Sequence, residues 1–260
     1  LVRSRGLGDV YKRQVSAFKE KYGITPICTV NHGTPWLYWE EAPIWMAEEG
    51  GGADNSFLSP LHANGDPGPN FGFGTSYPFY FYRDFRGRNA RLNFIEEPIN
   101  CYEIGYDKER IYPETLSVVV EITAKYHLLM NMFYHSYRIA EWPTCRESIK
   151  ELLNIIVRKK VKAVHMGNNE VHGWWTARSR ARVNDILITS NQIGFKAECD
   201  YKAGMIVKIP LEGDYAEKVL YDEEQTIHEN RFEFGQNWVY LKSPPGSHKI
   251  TVNLRKSEKA

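Results

Sequence analysis

The chain reads as an α/β protein, an incomplete (β/α) barrel followed by a small antiparallel β-sandwich, and three observations predict this. Short β-rich runs alternate with longer amphipathic ones from Ile24 to about Ala181, the pattern of βαβ units around a parallel sheet. From Val183 to Leu254 the period changes to short alternating runs broken by Gly, Pro and Asn, as in an antiparallel sandwich. A length of 260 residues accommodates one medium domain plus a smaller one. The expected division is 15–183 for the partial barrel, 184–254 for the sandwich and 255–260 for a frayed tail.

Residues 1–14, LVRSRGLGDVYKRQ, hold Arg3, Arg5, Lys12 and Arg13 against Asp9 and lack the apolar region of a signal peptide. They resemble a translated adapter and are set aside, so the visible chain is expected to begin mid-gene. Thr25 to Asn31 reads as a strand, and Leu37 to Glu49 as a helix closed by Gly50, Gly51 and Gly52. Gly51 to Phe57 gives a short strand. The aromatic-rich stretch from Ser59 to Arg88 reads as a long functional loop. Arg91 to Ile99 returns to strand, and Pro113 opens a helix to Tyr126. Leu128 to Tyr134 is apolar apart from Asn131, as in a central parallel strand buried on both faces. Thr144 to Glu147 forms a T-x-x-E capping box before a stripe of Ile149, Leu152, Leu153 and Ile156. Val161 to Met166 is the next expected strand. Asn168 or Asn169 caps a last helix carrying Trp174 and Trp175.

Composition excludes several classes. With 42% hydrophobic and 25% charged residues the chain is an ordinary globule, and no apolar run approaches the ~20 residues of a membrane helix. Lys plus Arg is 33 against 32 Asp plus Glu, which gives no electrostatic reason for a nucleic-acid partner. Seven Trp, 16 Tyr and 12 Phe point mildly to a carbohydrate or peptide cleft. Cys28, Cys101, Cys145 and Cys199 form no CxxC pair, against a zinc knuckle or a disulfide scaffold.

In a parallel barrel, functional side chains stand at the C-terminal ends of strands, which selects His32, Asp54, Glu96 or Glu97, His135 and Glu170. Imidazoles and carboxylates on one rim suit acid–base or metal-assisted hydrolysis. His135 is the candidate acid because its ordinary pKa lies near working pH; its structural alternative is a bond to a loop carbonyl. His32 and Asp54 fit a substrate-facing rim, and each also fits ordinary turn chemistry. Glu96 and Glu97 are adjacent, so a strand sends them to opposite faces and they cannot form a carboxylate pair. Glu170 and His172 lie two apart on a helix, which does not favour a shared metal.

Taken in order, VNHGTPWLYW, GGADNSF, FGFGTSYPF, FIEEPIN, MFYHSYRIAEWPTCRESIKELL and NNEVHGWWTARSRARV resemble the downstream part of polysaccharide deacetylases of the NodB-homology superfamily. The likeness covers roughly residues 15 to 183 and implies a barrel of the glycoside hydrolase/deacetylase type. It implies that His135 assists catalysis, that Asp54 orients rim side chains beside His32, and that Trp36, Trp39 and Tyr77 stack on a carbohydrate substrate. The family's Asp-Asp and His-x-x-x-His motifs are absent, so the divalent metal, zinc by resemblance, is expected in a longer parent and not in this chain. As it stands the chain is expected to be an inactive fragment of a carbohydrate deacetylase. Two other classes stay open: a carbohydrate-binding module, and a glycoside hydrolase, which needs two rim carboxylates about 5 to 10 Å apart.

Overall fold

A computed structural model describes residues 2–30, 40–57, 75–106 and 110–256. They fall into two compact units, Leu1–His172 and Gly173–Ala260. The first holds α1 (Val2–Tyr22), β1 (Cys28–Thr29), α2 (Glu41–Glu48), β2 (Ala53–Asp54), β3 (Phe79–Tyr82) and β4 (Arg91–Glu96). It continues with β5 (Cys101–Tyr102), α3 (Pro113–Lys125), β6 (Met132–Phe133), α4 (Ser136–Glu141) and α5 (Pro143–Arg158), and α6 (Asn168–Arg180) crosses the division.

The expected (β/α) barrel is not formed. The main sheet of this unit has the order β1-β2-β4-β3, with β1, β2 and β4 parallel and β3 antiparallel, Phe79 lying opposite Glu96. A strand has two edges, and those of β4 are taken by β2 and β3, so the next parallel strand has no place to dock. β5 and β6 instead form a separate parallel pair. The barrel reading failed at the aromatic stretch read as loop, whose Phe79–Tyr82 is a strand. Two further expectations are corrected. In Leu128–Tyr134 only Met132 and Phe133 pair, and the segment is half-buried, because Asn131 turns its amide to the carbonyls of Glu97 and Pro98. Val161–Met166 forms no strand, and between its half-buried ends it is exposed, with Val164 81% accessible.

Helix α1 runs straight through the Gln14–Val15 boundary expected for the adapter-like segment. Val15 is buried and Tyr11 packs on Trp45 at 6.2 Å between ring centroids. α5 begins at Pro143, whose missing N–H is harmless in a first turn. The capping box is not made: Thr144 donates its hydroxyl to the carbonyl of Gly105 at 2.7 Å, and Glu147 pairs with Lys150. The buried stripe is Cys145, Ser148, Leu152 and Ile155, while Leu153 is exposed. It packs with Leu116, Val119 and Val120 of α3 into one core, and Ala42, Met46, Phe81 and Phe94 form another between α2, β3 and β4.

The second unit is antiparallel, with β7 (Arg182–Ile188), β8 (Gln192–Cys199), β9 (Met205–Leu211), β10 (Asp214–Tyr221), β11 (Glu224–Thr226), β12 (His228–Glu233), β13 (Gln236–Ser243) and β14 (Gly246–Lys256). A five-stranded sheet of order β11-β10-β14-β8-β7 and a three-stranded sheet of order β12-β13-β9 share a core. Period-two alternation builds it: Ile193, Phe195, Ala197 and Cys199 of β8 point inward, each separated by a more exposed residue. Gly204 enters β9 at φ +74°, and a Cβ there would lie 2.0 Å from the carbonyl oxygen of Ser243. Gly204→Ala is therefore expected to lower stability by roughly 2–5 kcal/mol, from left-handed backbone strain plus a backbone overlap. Thermal unfolding checks this, and an unchanged midpoint would contradict the close approach.

Candidate functional site

Of the parallel strands, β2 and β4 end on acids, and β1 ends on Thr29. Asp54 closes β2 and lies in register with Glu96 at the end of β4, which sets their backbones one strand spacing, about 4.8 Å, apart. The alternation that would send Glu96 and Glu97 to opposite faces ends there, because Pro98 has no N–H to continue the ladder. Both glutamates are buried close enough to Asp54 for its charge to act on them. Of the two, Glu97 lines a cavity and Glu96 is bound to the turn after β2.

Each acid has a different set of partners. Thr29 donates its hydroxyl to Asp54 Oδ1 at 2.8 Å, and bonds from Thr29 and from the chain at Asn55 and Ser56 favour the carboxylate. Burial nevertheless raises the Asp54 pKa above its ordinary value. Glu96 Oε1 accepts the backbone N–H groups of Ser56, at 3.1 Å, and Phe57, at 2.8 Å, so Glu96 fixes the turn after β2. Burial and then the charge of Asp54 push Glu96 well up. Glu97 is held through its backbone: its carbonyl accepts amide protons from Asn55 and Asn131, both at 3.0 Å. Its side-chain Oε1 is buried without a hydrogen-bond partner. Burial, then the charge of Asp54, push Glu97 up to about 8. The thiol of Cys28 is pushed up to about 12 by burial and then by Glu97 and Asp54, which leaves it a poor nucleophile.

Glu97 lines a cavity of about 60 Å³ together with Ser76, Asn131, Met130, Met166 and Val171. Tyr77 adjoins it, and its phenol donates to the carbonyl of His127. A larger cavity, about 240 Å³, lies between α1 and the sheet, and Tyr11 is the one titratable side chain among the described residues that line it.

His135 belongs to a separate cluster after β6. Glu103, fully buried in a left-handed conformation at φ 42°, accepts the backbone N–H of His135 at 2.9 Å and lies 2.7 Å from its Nδ1. Its other oxygen pairs with Arg138. The guanidinium of Arg138 lies over Tyr106, 3.9 Å from the ring centroid, and also near Trp142 and Tyr137. A carboxylate behind an imidazole fixes its orientation, the base–orienter half of a hydrolytic site.

Asp54 is thus bound to Thr29 and His135 to Glu103, with no hydrogen bond or ion pair joining the two expected catalytic residues. His32, Trp36 and Trp39 lie outside the described residues. Glu170 caps its own helix by accepting the N–H of Gly167 at 2.9 Å, and His172 lies against Gly52, burial holding its pKa below the ordinary value. Glu103 is not among the strand-end residues selected from sequence; its place just after β5, before Gly105, is the signal that marks it. No group of three or more His, Cys, Asp or Glu among the described residues converges to hold a metal, so the zinc implied by the resemblance finds no ligand set there. No described helix is long and apolar enough to cross a membrane. Comparison with known protein families, with curated proteins and with solved structures finds no match to this chain.

Proposed function

We propose that the chain carries an acid–base centre for hydrolysis of a glycosidic bond, with Glu97 as proton donor and Asp54 as its ionised partner. The supporting observation is Glu97 itself: a buried carboxyl group with one oxygen unpartnered, on a cavity wall and beside a second carboxylate. A carboxyl pushed to about 8 keeps its proton at neutral pH. Asp54 starts from a lower ordinary value and receives several hydrogen bonds, so it loses its proton first. Two carboxyl groups whose surroundings separate their affinities for a proton take the acid and base roles. Glu97 gives its proton to the leaving oxygen as the C–O bond breaks, and Asp54 stabilises the positive charge developing on the sugar ring. Water completes the reaction and returns a proton to Glu97.

A second reading, removal of an acetyl group with His135 as the proton-transfer residue, is favoured by the Glu103–His135 contact. The two readings separate in one assay. The 260-residue chain is incubated with acetylated and deacetylated polysaccharides, and both reducing ends and acetate are measured. Reducing ends lost in Glu97→Gln and retained in His135→Ala are the expected result. Acetate release with the opposite dependence would replace the first reading by the second, and neither product would overturn both.

A further inference from the structure

The cavity beside Glu97 offers few hydrogen-bond donors. Asn131 spends its Nδ2 on the carbonyls of Glu97 and Pro98, at 3.0 and 3.1 Å, and Ser76 spends its hydroxyl proton on the carbonyl of Leu129. Asn168 has an amide as well, but at the exposed rim. The polar groups left in the interior are the carboxyl of Glu97, whose Oε1 has no partner, and two acceptors, the Asn131 Oδ1 and the hydroxyl oxygen of Ser76. The remaining wall is apolar: Leu129, Met130, Met166, Val171, Pro78 and Pro98. A group that fits must bring a donor of its own together with a short apolar stem. Its size must suit about 60 Å³, which excludes a whole sugar ring.

We propose that this cavity is the subsite for the hydroxymethyl arm of a hexose, and so selects hexose over pentose glycans. The methylene packs against Met130, Met166 and Val171, and the primary hydroxyl donates to Asn131 Oδ1 or Ser76. A carboxylate arm is disfavoured, because no Lys, Arg or His is among the described lining residues and the protons of Asn131 and Ser76 are already engaged by backbone carbonyls. An ammonium arm is disfavoured too, since the adjacent Glu97 keeps its proton at neutral pH and offers no charge to pair with. The inference rests on the glycosidic reading above for its substrate, although the subsite can be read without turnover.

The test uses sugar pairs that differ only in this arm: methyl β-D-glucoside with methyl β-D-xyloside, and methyl β-D-galactoside with methyl α-L-arabinopyranoside. Each is titrated into the full chain labelled at its methionine methyl groups. Met130 and Met166 line the cavity and report on it, with Met46, which does not line it, for comparison. In at least one pair the hexoside is expected to shift Met130 and Met166 at about tenfold lower concentration than the pentoside. Val171→Phe, which fills the cavity, is expected to erase the difference. Should that variant fail to fold, the wild-type hexoside–pentoside comparison still decides. Equal responses within every pair, or no response from Met130 and Met166, would overturn the subsite. Selective binding without cleavage would keep the subsite and remove the glycosidic reading.

Discussion

Glu97→Gln is expected to abolish glycoside hydrolysis while making the protein more stable at pH 8. Loss of a general acid lowers a rate by roughly 10²- to 10⁴-fold, and the amide keeps the shape of the side chain but has no proton to give. The stability gain follows from linkage. Glu97 is raised from 4.5 to about 8 in the folded chain, so between those values the folded state keeps a proton that the unfolded state has released. Unfolding then becomes easier as pH rises, and the loss is complete once pH passes the folded value. Its size by pH 8 is on the order of 4 kcal/mol. Below pH 4.5 both states are protonated and Glu97 contributes no slope. Glutamine removes this share of the slope, leaving those of Asp54 and Glu96, whose raised pKa values act in the same direction. Thermal unfolding of both proteins from pH 4 to pH 9 measures it. Parallel curves would mean that Glu97 reaches water and lacks the raised affinity for a proton on which its role depends.

The same residue shows where the sequence was legible and where it was not. The presence of β1, β2 and β4 could be read from short β-rich runs, because local pattern suffices for that, while the expected strands ran two to three residues past the observed ends at Thr29, Asp54 and Glu96. The environment of Glu97 could not be read that way. It depends on Pro98 ending the ladder and on the amides of Asn55 and Asn131 meeting at one carbonyl from distant parts of the chain. The barrel failed for a related reason. Phe79–Tyr82 is apolar on both faces and adjoins glycines and prolines, so its local pattern fits a packed loop as well as a strand. Only pairing with β4 decides between them, and that pairing closes the edge a barrel would have extended. In the second unit alternation marks the inward faces of β8 and β13, where one face is buried, whereas β7 is exposed along its whole length and carries no such signal.

Glu103→Gln is expected to be the most destabilising conservative change in the His135 cluster, costing about 3 kcal/mol. Three of the donors to Glu103 are the backbone N–H of His135, its Nδ1, and Arg138, beside a side-chain hydrogen bond with Tyr102. A carboxylate accepts all three, whereas a glutamine amide turns its NH₂ toward one of them and leaves donor facing donor at a fully buried position. Arg138 keeps its contacts with Tyr106 and Trp142 and reaches some water, since its side chain is 13% exposed, so the loss stays at the lower end for a broken buried pair. His135→Ala is expected to cost less, about 1 kcal/mol, because the backbone N–H at position 135 still reaches Glu103 and Arg138 remains in place. The order of the two losses is the test, read from denaturant midpoints. If His135→Ala cost as much as Glu103→Gln, the imidazole would be a structural member of the cluster. If it cost little, the imidazole is placed by Glu103 without being needed to hold the fold, which is the condition for a side chain whose task is proton transfer.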